Sequence, residues 1–179
     1  MRSASTTVSQ IRGGLTRAVK AEAQAYAHGE ERPLGSYAAI LATYGTLVSA
    51  LAGYLAVSKR RLPERIAPSD LALLTVATHK FARLVAKDPV TSPLRAAFTR
   101  YSGTSGEAEV AEDVRGRGPR KAVGEMVTCP FCLGQWTATV AVFGLIVAPR
   151  STRLTASVFA MLAGSDVLQF LYDKLQQEA

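Results

Sequence analysis

Three long apolar blocks, separated by charged segments, constrain most strongly how this chain can fold. Residues 36–57 and 130–148 contain no charged side chain, and residues 154–172 contain one, Asp166. A helix of about 20 apolar residues is long enough to cross the roughly 30 Å hydrocarbon core of a bilayer. The blocks therefore predict an all-α integral membrane helical bundle, with spans close to these three ranges.

The basic charge of the chain agrees with this prediction. The net charge is +7 and the isoelectric point is about 9.7. A nucleic-acid-binding protein would carry a basic stripe on a soluble face, with aromatic side chains for base stacking. Here the basic clusters Lys59-Arg60-Arg61 and Arg115 to Lys121 flank apolar blocks, which is the pattern of membrane proteins. We expect membrane lipid as a partner and no nucleic acid.

A fourth block, residues 71–87, is less apolar and leaves the number of spans at three or four. At 1.5 Å per residue it reaches only about 24 Å, and it carries His79, Lys80 and Arg83. It is either a short or re-entrant span with its polar stripe against the bundle interior, or a helix in the interface. Charged side chains at membrane depth are costly and mark sites of interest.

The remaining segments divide the chain into two parts. Residues 1–33 form a basic amphipathic helix that either lies on the membrane surface or packs on its own bundle. Residues 34–179 form the membrane domain, in which 149–153 make a tight hairpin and 88–126 make a long connection, interpreted as a flexible, positively charged linker. By the positive-inside rule this connection and the Cys129 end of the third span are cytoplasmic.

Small residues spaced four apart suggest that two spans pack closely against other helices. Such bare faces let helices approach in lipid, where packing replaces the hydrophobic effect. They predict self-association or contact with other membrane proteins. The residues are Gly45, Ser49 and Gly53 in the first span and Ala156, Ala160 and Gly164 in the last.

Asp166 is the one charge inside the last span. A carboxylate there should be paired or protonated. Lys80 and Arg83 are the candidate partners for a structural ion pair, with His79 beside them. Proton or ion transport through Asp166 and His79 is the alternative.

Cys129 and Cys132 are the only cysteines, and they form one Cys-x-x-Cys motif. Pro130 is in the position favoured at the first turn of a helix, so the third span can start there. The motif permits a disulfide or two metal ligands. Zinc takes four ligands; His79 is a candidate third, and a second copy of the chain could supply another pair. Small buried packing residues are the third interpretation.

Two motifs stand out together: residues 79–95, which begin His79-Lys80 and end Thr91-Ser92-Pro93-Leu94-Arg95, and residues 129–136, Cys129-Pro130-Phe131-Cys132-Leu133-Gly134-Gln135-Trp136. This combination resembles the YngL-like bacterial membrane proteins, a family known as domain of unknown function 1360. The resemblance covers about residues 35–175, with Ala97 standing where the family pattern has proline. It implies a helical membrane fold and no particular activity. It also suggests that both stretches form one site at the cytoplasmic rim. The residues that carry it are His79, Lys80, Arg83, Lys87, Asp88, Thr91, Ser92, Pro93, Arg95, Cys129, Pro130, Cys132, Gly134 and Trp136.

The sequence thus predicts a small multi-pass protein of the bacterial cell membrane. Its leading function is that of a non-enzymatic interaction or assembly component with a metal or structural site at Cys129 and Cys132. The alternatives are a membrane thiol-disulfide oxidoreductase using the same pair and a small transporter using Asp166 and His79.

Overall fold

The computed structural model of the protein describes residues 2–58, 60 and 62–178, and within the first helix it describes side chains at residue 10 and from residue 13 onward. Lys59 and Arg61 of the predicted basic cluster lie outside the described residues. The main helices are α1 (Arg2–Ala27), α2 (Leu34–Val57), α3 (Pro68–Lys87), α4 (Ser92–Arg95), α5 (Pro119–Val127), α6 (Pro130–Val147) and α7 (Pro149–Gln177), and a short 3-10 helix covers Pro89–Thr91.

Four of these helices run in alternating directions. Tyr37, near the start of α2, contacts Glu125 just before α6, and Arg60, beyond the end of α2, donates to the carbonyl of Val147 at the end of α6 at 2.9 Å. Therefore α2 and α6 are parallel. Only Ala148 separates α6 from α7, so α7 runs back. The predicted hairpin at 149–153 is wrong, because these residues already form the first turns of α7.

The third helix is the centre of the bundle. It packs between α6 and α7. Its direction matches that of α7, because Asp70 pairs with Arg153 and Lys80 pairs with Asp166 further along both helices. The apolar core lies at this junction, and Phe81 and Phe159 meet edge to face with ring centroids 5.2 Å apart. The residues of the core are Leu74, Ala77, Leu145 and Ala156, with Ile66, Leu73, Ala141 and Phe159 packed against them.

The third helix is also longer than the sequence indicated. Pro68 occupies its first turn and Ala67 its N-cap, so the predicted start at residue 71 is three residues late. Its 20 residues correspond to about 30 Å. Ser69 and Asp70 are residue types that commonly cap a helix, which favours a start at Leu71. Pro68 is instead a first-turn residue, a position that proline favours.

The segment 88–126 is folded, which corrects two predictions. It is not a flexible linker, and the chain is not all-α, because β1 (Thr99–Gly106) and β2 (Glu109–Val114) form an antiparallel hairpin. The two-residue turn between the strands places Ala108 at a φ of 56°, an uncommon conformation for a residue with a side chain. The Gly- and Ser-rich sequence of β1 concealed the strand.

The hairpin and α5 pack closely. A Cβ atom added at Gly124 of α5 would come within 2.6 Å of Val114 Cγ1 and 3.1 Å of the Phe98 carbonyl oxygen. A glycine at this position is therefore what allows the helix to approach β2. Together α4, the hairpin and α5 form a cap, here called the hairpin end, at the level where α2 and α6 begin. The opposite end carries Ala148 and the described residues between α2 and α3, which are Ser58, Arg60 and 62–67.

Candidate functional site

Two ion pairs of reversed polarity join α3 to α7. Asp70 of α3 receives two hydrogen bonds of 2.8 Å from the Arg153 guanidinium. Ten residues on, the polarity is exchanged, since Lys80 Nζ of α3 lies 2.5 Å from Asp166 Oδ2 of α7. An antiparallel α3–α7 arrangement would bring like charges together at both levels. The pairs therefore select the parallel arrangement.

Arg83, the other predicted partner of Asp166, is used elsewhere. Its Nη2 lies 2.5 Å from Glu109 Oε1, so it holds the first residue of β2 against α3. His79, on the same helix, is exposed. The polar residues of α3 thus bind two different elements, α7 and the hairpin.

Arg95 organises the hairpin end. Its side chain is fully buried, and its Nε and Nη2 donate to Glu112 Oε2 and Oε1 of β2 at 2.9 Å each. Arg95 Nη1 donates to the Val85 carbonyl and to Thr91 Oγ1, both at 2.6 Å. Its Nη2 also reaches the Asp88 carbonyl at 3.1 Å. One guanidinium therefore fixes the end of α3, the turn after it and the hairpin.

The electrostatics of Glu112 match this role. Its burial alone would raise the pKa of this carboxyl group. Hydrogen bonds from Arg95, Thr99 and Ser92 outweigh burial and hold the pKa of Glu112 below its usual value of 4.5. The carboxylate is therefore ionised when the hairpin is folded, and the ion pair weakens only as pH falls through that lowered pKa.

The thiol pair lies at the junction of α5 and α6. Cys129 is the N-cap of α6, and its Sγ accepts a hydrogen bond from the Cys132 amide at 3.2 Å. The two sulfur atoms are 2.7 Å apart, Cys132 is exposed, and both cysteines are free thiols. The arrangement can bind a soft cation or form a disulfide.

A cleft of about 310 Å³ lies beside Cys132. It separates α2 from α5 and α6, and it is closed at one end by the edge-to-face pair of Tyr44 and Trp136, whose centroids are 5.1 Å apart. At the other end, the Tyr37 hydroxyl donates to Glu125, which also lies 3.7 Å from Arg32. The lining residues are Tyr37, Ile40, Leu41, Tyr44, Ala122, Glu125, Met126, Cys132, Gln135 and Trp136.

The predicted zinc ligands are not assembled in one copy of the chain. His79 is on α3, and the cleft beside Cys132 is formed by α2, α5 and α6. Throughout the described residues, no three His, Cys, Asp or Glu side chains are grouped so that they could hold a metal ion. Zinc normally takes four protein ligands at a structural site, so two thiols from one copy do not complete one.

The two motifs of the family resemblance occupy separate positions at the hairpin end. Residues Asp88, Thr91, Ser92 and Arg95 belong to the cluster around Glu112. The cysteine motif faces α2, and α5 lies between this motif and the cluster around Glu112. The structure thus shows two clusters where the sequence suggested one site.

The small-residue faces differ in their surroundings. Ala156 is buried in the core. By contrast, Cβ atoms built at Gly45, Gly53 and Gly164 meet no atom of the described residues within 4 Å, and Ser49 is exposed. The face on α2 is therefore not covered by any other part of the described chain.

Several residues that fix the site carry no local signal in the sequence that marks them as such. Glu112, Glu125 and Asp70 belong to no motif, and Arg153 falls in the segment 149–153 that was predicted to be a hairpin. The available signal was the reversed order of charge, with Asp before Lys on α3 and Arg before Asp on α7. No sequence pattern marked Tyr37 as a residue of the site.

Comparison with known proteins places the chain in a family. A family model described as "Protein of unknown function (DUF1360)" matches residues 73–172. The chain belongs to this family. It is also similar to sporulation protein YjcA of Bacillus subtilis (strain 168), with 27% identity over 111 residues, which is 60% of this chain and 94% of that protein. No solved structure matches.

Membership of the DUF1360 family confirms the resemblance but over a shorter range than expected. The match begins within α3 and ends within α7, so it contains the hairpin end, the Lys80–Asp166 pair and the thiols. Asp70, which pairs with Arg153, precedes it. Both α1 and α2 precede it, although the resemblance was expected from residue 35. The cleft therefore has one wall of family residues and one wall, α2, from outside the matched range.

Proposed function

We propose that this protein is a four-span component of the bacterial cell membrane that acts in assembly and is not an enzyme. The observation that supports this most is the use of the charges on α3. Asp70 and Lys80 are both paired with α7, which is what a fixed bundle requires. A transporter would need such groups to change partners during its cycle. The similarity to a sporulation protein of Bacillus subtilis supports a bacterial setting.

The arrangement of the helices supports the proposal of four crossings. Helices α2, α6 and α7 are long and apolar enough to span a membrane by length and composition. Helix α3 is less apolar, but its ends lie at the levels of theirs and two of its charges are neutralised by α7. Pairing lowers the cost of charged side chains at membrane depth. Helix α1 has Leu15 and Val19 exposed, as an interfacial helix would.

The proposed orientation places the hairpin end in the cytoplasm. Among the described residues, the opposite end carries four basic ones: Arg60, Arg65, Arg150 and Arg153. The hairpin end, with α1 and the tail of α7, carries Arg2, Arg12, Arg17, Lys20, Arg32, Lys87, Arg95, Arg100, Arg115, Arg117, Arg120, Lys121 and Lys174. The more basic side faces the cytoplasm in most membrane proteins.

This orientation predicts the side from which Cys132 reacts. In a Cys129→Ser variant, Cys132 is the only thiol. A membrane-impermeant maleimide should label it in inside-out vesicles and leave it unlabelled in intact cells. A cysteine placed at Arg150, in a chain lacking both native cysteines, should give the opposite pattern. Labelling of Cys132 from outside intact cells would contradict the proposed orientation and indicate the opposite one.

Assembly is proposed to occur through the open face of α2. Gly45, Ser49 and Gly53 lie on one side of the helix, and a second copy can approach its backbone there. Homo-oligomers with two-fold symmetry are the commonest kind, and such a dimer brings α2 against its own equivalent.

Disulfide cross-linking tests this face directly. In a background without native cysteines, Ser49→Cys should yield a covalent dimer in membranes on mild oxidation. Ala50→Cys is the matched control, since it is exposed at nearly the same depth but about 100° around the helix. Equal cross-linking at both positions, or at neither, would contradict an interface on this face.

Thiol-disulfide exchange is the second candidate function, because the Cys129 and Cys132 sulfur atoms lie 2.7 Å apart. In that reaction the two thiols lose two electrons and two protons to a partner disulfide, which is reduced to two thiols. Alkylation before and after reduction distinguishes the candidates. A pair recovered partly as the Cys129–Cys132 disulfide supports exchange, and a pair recovered fully reduced supports a structural or metal site.

A further inference from the structure

We propose that Met126, Cys129 and Cys132 form a binding site for one soft monovalent cation, of which Cu(I) is the common biological example. This deepens the proposed function by assigning a ligand to the thiol site, and its cytoplasmic setting rests on the proposed orientation. The sulfur atoms belong to three residues spaced three apart across the α5–α6 junction.

The donor atoms are the first argument. Met126 is in the last turn of α5 and lines the same cleft as Cys132. Cys129 lies between them in the chain, and its Sγ is 2.7 Å from that of Cys132. Two thiolates and a thioether are soft ligands, the set that selects Cu(I), whereas carboxylate and water suit Mg²⁺ or Ca²⁺.

Coordination number is the second argument. Zinc prefers four ligands, and the described residues provide no third His, Cys, Asp or Glu for the thiol pair. Monovalent copper is commonly bound by two or three sulfur ligands, and one copy of the chain supplies three. The site therefore needs neither His79 nor a second copy.

The surroundings are the third argument. The cleft wall is largely apolar, with Ile40, Leu41 and Trp136 beside Cys132, so few hard oxygen ligands compete with the sulfur atoms for a soft cation. Cys129 Sγ accepts a hydrogen bond from the Cys132 amide at 3.2 Å, which holds this sulfur atom at the start of α6. A cation between the two sulfur atoms requires them to move apart, since a metal–thiolate bond is about 2.3 Å long in the zinc case. The exposed Cys132 side chain can do this by a change of rotamer.

The test is a competition titration of the purified, fully reduced chain in detergent under anaerobic conditions. Cu(I) is supplied as its complex with a coloured chelator such as bicinchoninate, and a parallel titration uses Zn(II) with a coloured zinc chelator. We expect one Cu(I) per chain and retention of Cu(I) in the presence of equimolar Zn(II). Binding should be lost in the Cys129→Ser/Cys132→Ser variant.

Two methionine-to-leucine variants, one at the site and one away from it, test whether Met126 is a ligand. Met126→Leu should weaken Cu(I) binding by about tenfold or more, because loss of even an outer-shell partner costs 10–100-fold in affinity. Met161→Leu, at an exposed position on α7, should leave it unchanged. Equal affinities of the two variants, preference for Zn(II), or one Cu(I) per two chains would each overturn the proposal. The titration does not depend on membrane orientation, so its failure is distinct from failure of the labelling experiment.

Discussion

Replacement of Arg95 by Met is expected to lower the free energy of unfolding by about 3–5 kcal/mol, the cost of removing one partner of a buried ion pair. The Glu112 carboxylate would keep its charge but lose both hydrogen bonds from the guanidinium. The carbonyls of Val85 and Asp88 would lose a donor as well. The measurement is unfolding of the detergent-solubilised protein by heat and by denaturant.

Two further variants make this result interpretable. Arg100→Met changes an exposed arginine on β1 and should alter stability little, because surface substitutions usually have small effects. The double variant Arg95→Met/Glu112→Leu should be more stable than Arg95→Met alone, since no uncompensated buried charge remains. If Arg95→Met unfolds like the Arg100 control, Arg95 does not organise the hairpin end.

Reversal of charge at Asp166 is expected to have the second large effect. Asp166→Lys would place two ammonium groups together at the α3–α7 contact, where Lys80 Nζ now lies 2.5 Å from the carboxylate. An unpaired charge within a membrane helix costs about 3 kcal/mol, and the repulsion adds to it. The variant should unfold at a lower temperature in detergent and accumulate less in membranes.

The exchanged pair is the control for this prediction. Lys80→Asp combined with Asp166→Lys restores opposite charges at the same place and should recover most of the lost stability. Asp166→Asn removes the charge without repulsion and should fall between the wild type and Asp166→Lys. An unchanged melting profile for Asp166→Asn, or no recovery in the exchanged double variant, would show that the ion pair does not hold α3 to α7.

The limits of prediction from sequence are clearest in the segment 88–126. Its Gly, Ser and Pro content and its basic run are typical of a linker, and local propensity gave no strong strand signal. The hairpin is nevertheless held by contacts distant in sequence: Arg95 with Glu112, Arg83 with Glu109, and Gly124 against Val114. A pattern within one element does not contain such partners.

The sequence by itself determined the helices with the strongest apolar signal. Uncharged runs of about twenty residues specify α2 and α6 within a few positions, because the length and apolar composition of a run can be read along the chain without knowing its contacts. Pro130 marks the start of α6 and the two cysteines at that start are evident in the chain. Family membership was also recognisable from motifs in the sequence.

Only the tertiary structure decided which polar groups meet. It placed the less apolar α3 between α6 and α7, paired Lys80 with Asp166 and Asp70 with Arg153, and assigned Arg83 to the hairpin. It also placed Cys132 and Met126 in the lining of one cleft, whereas His79 lies on α3 and does not line that cleft. The physical reason is that an ion pair or a ligand set depends on distances of a few ångströms between residues far apart in the chain. Helical periodicity fixes which face a residue occupies, but packing alone fixes what that face contacts.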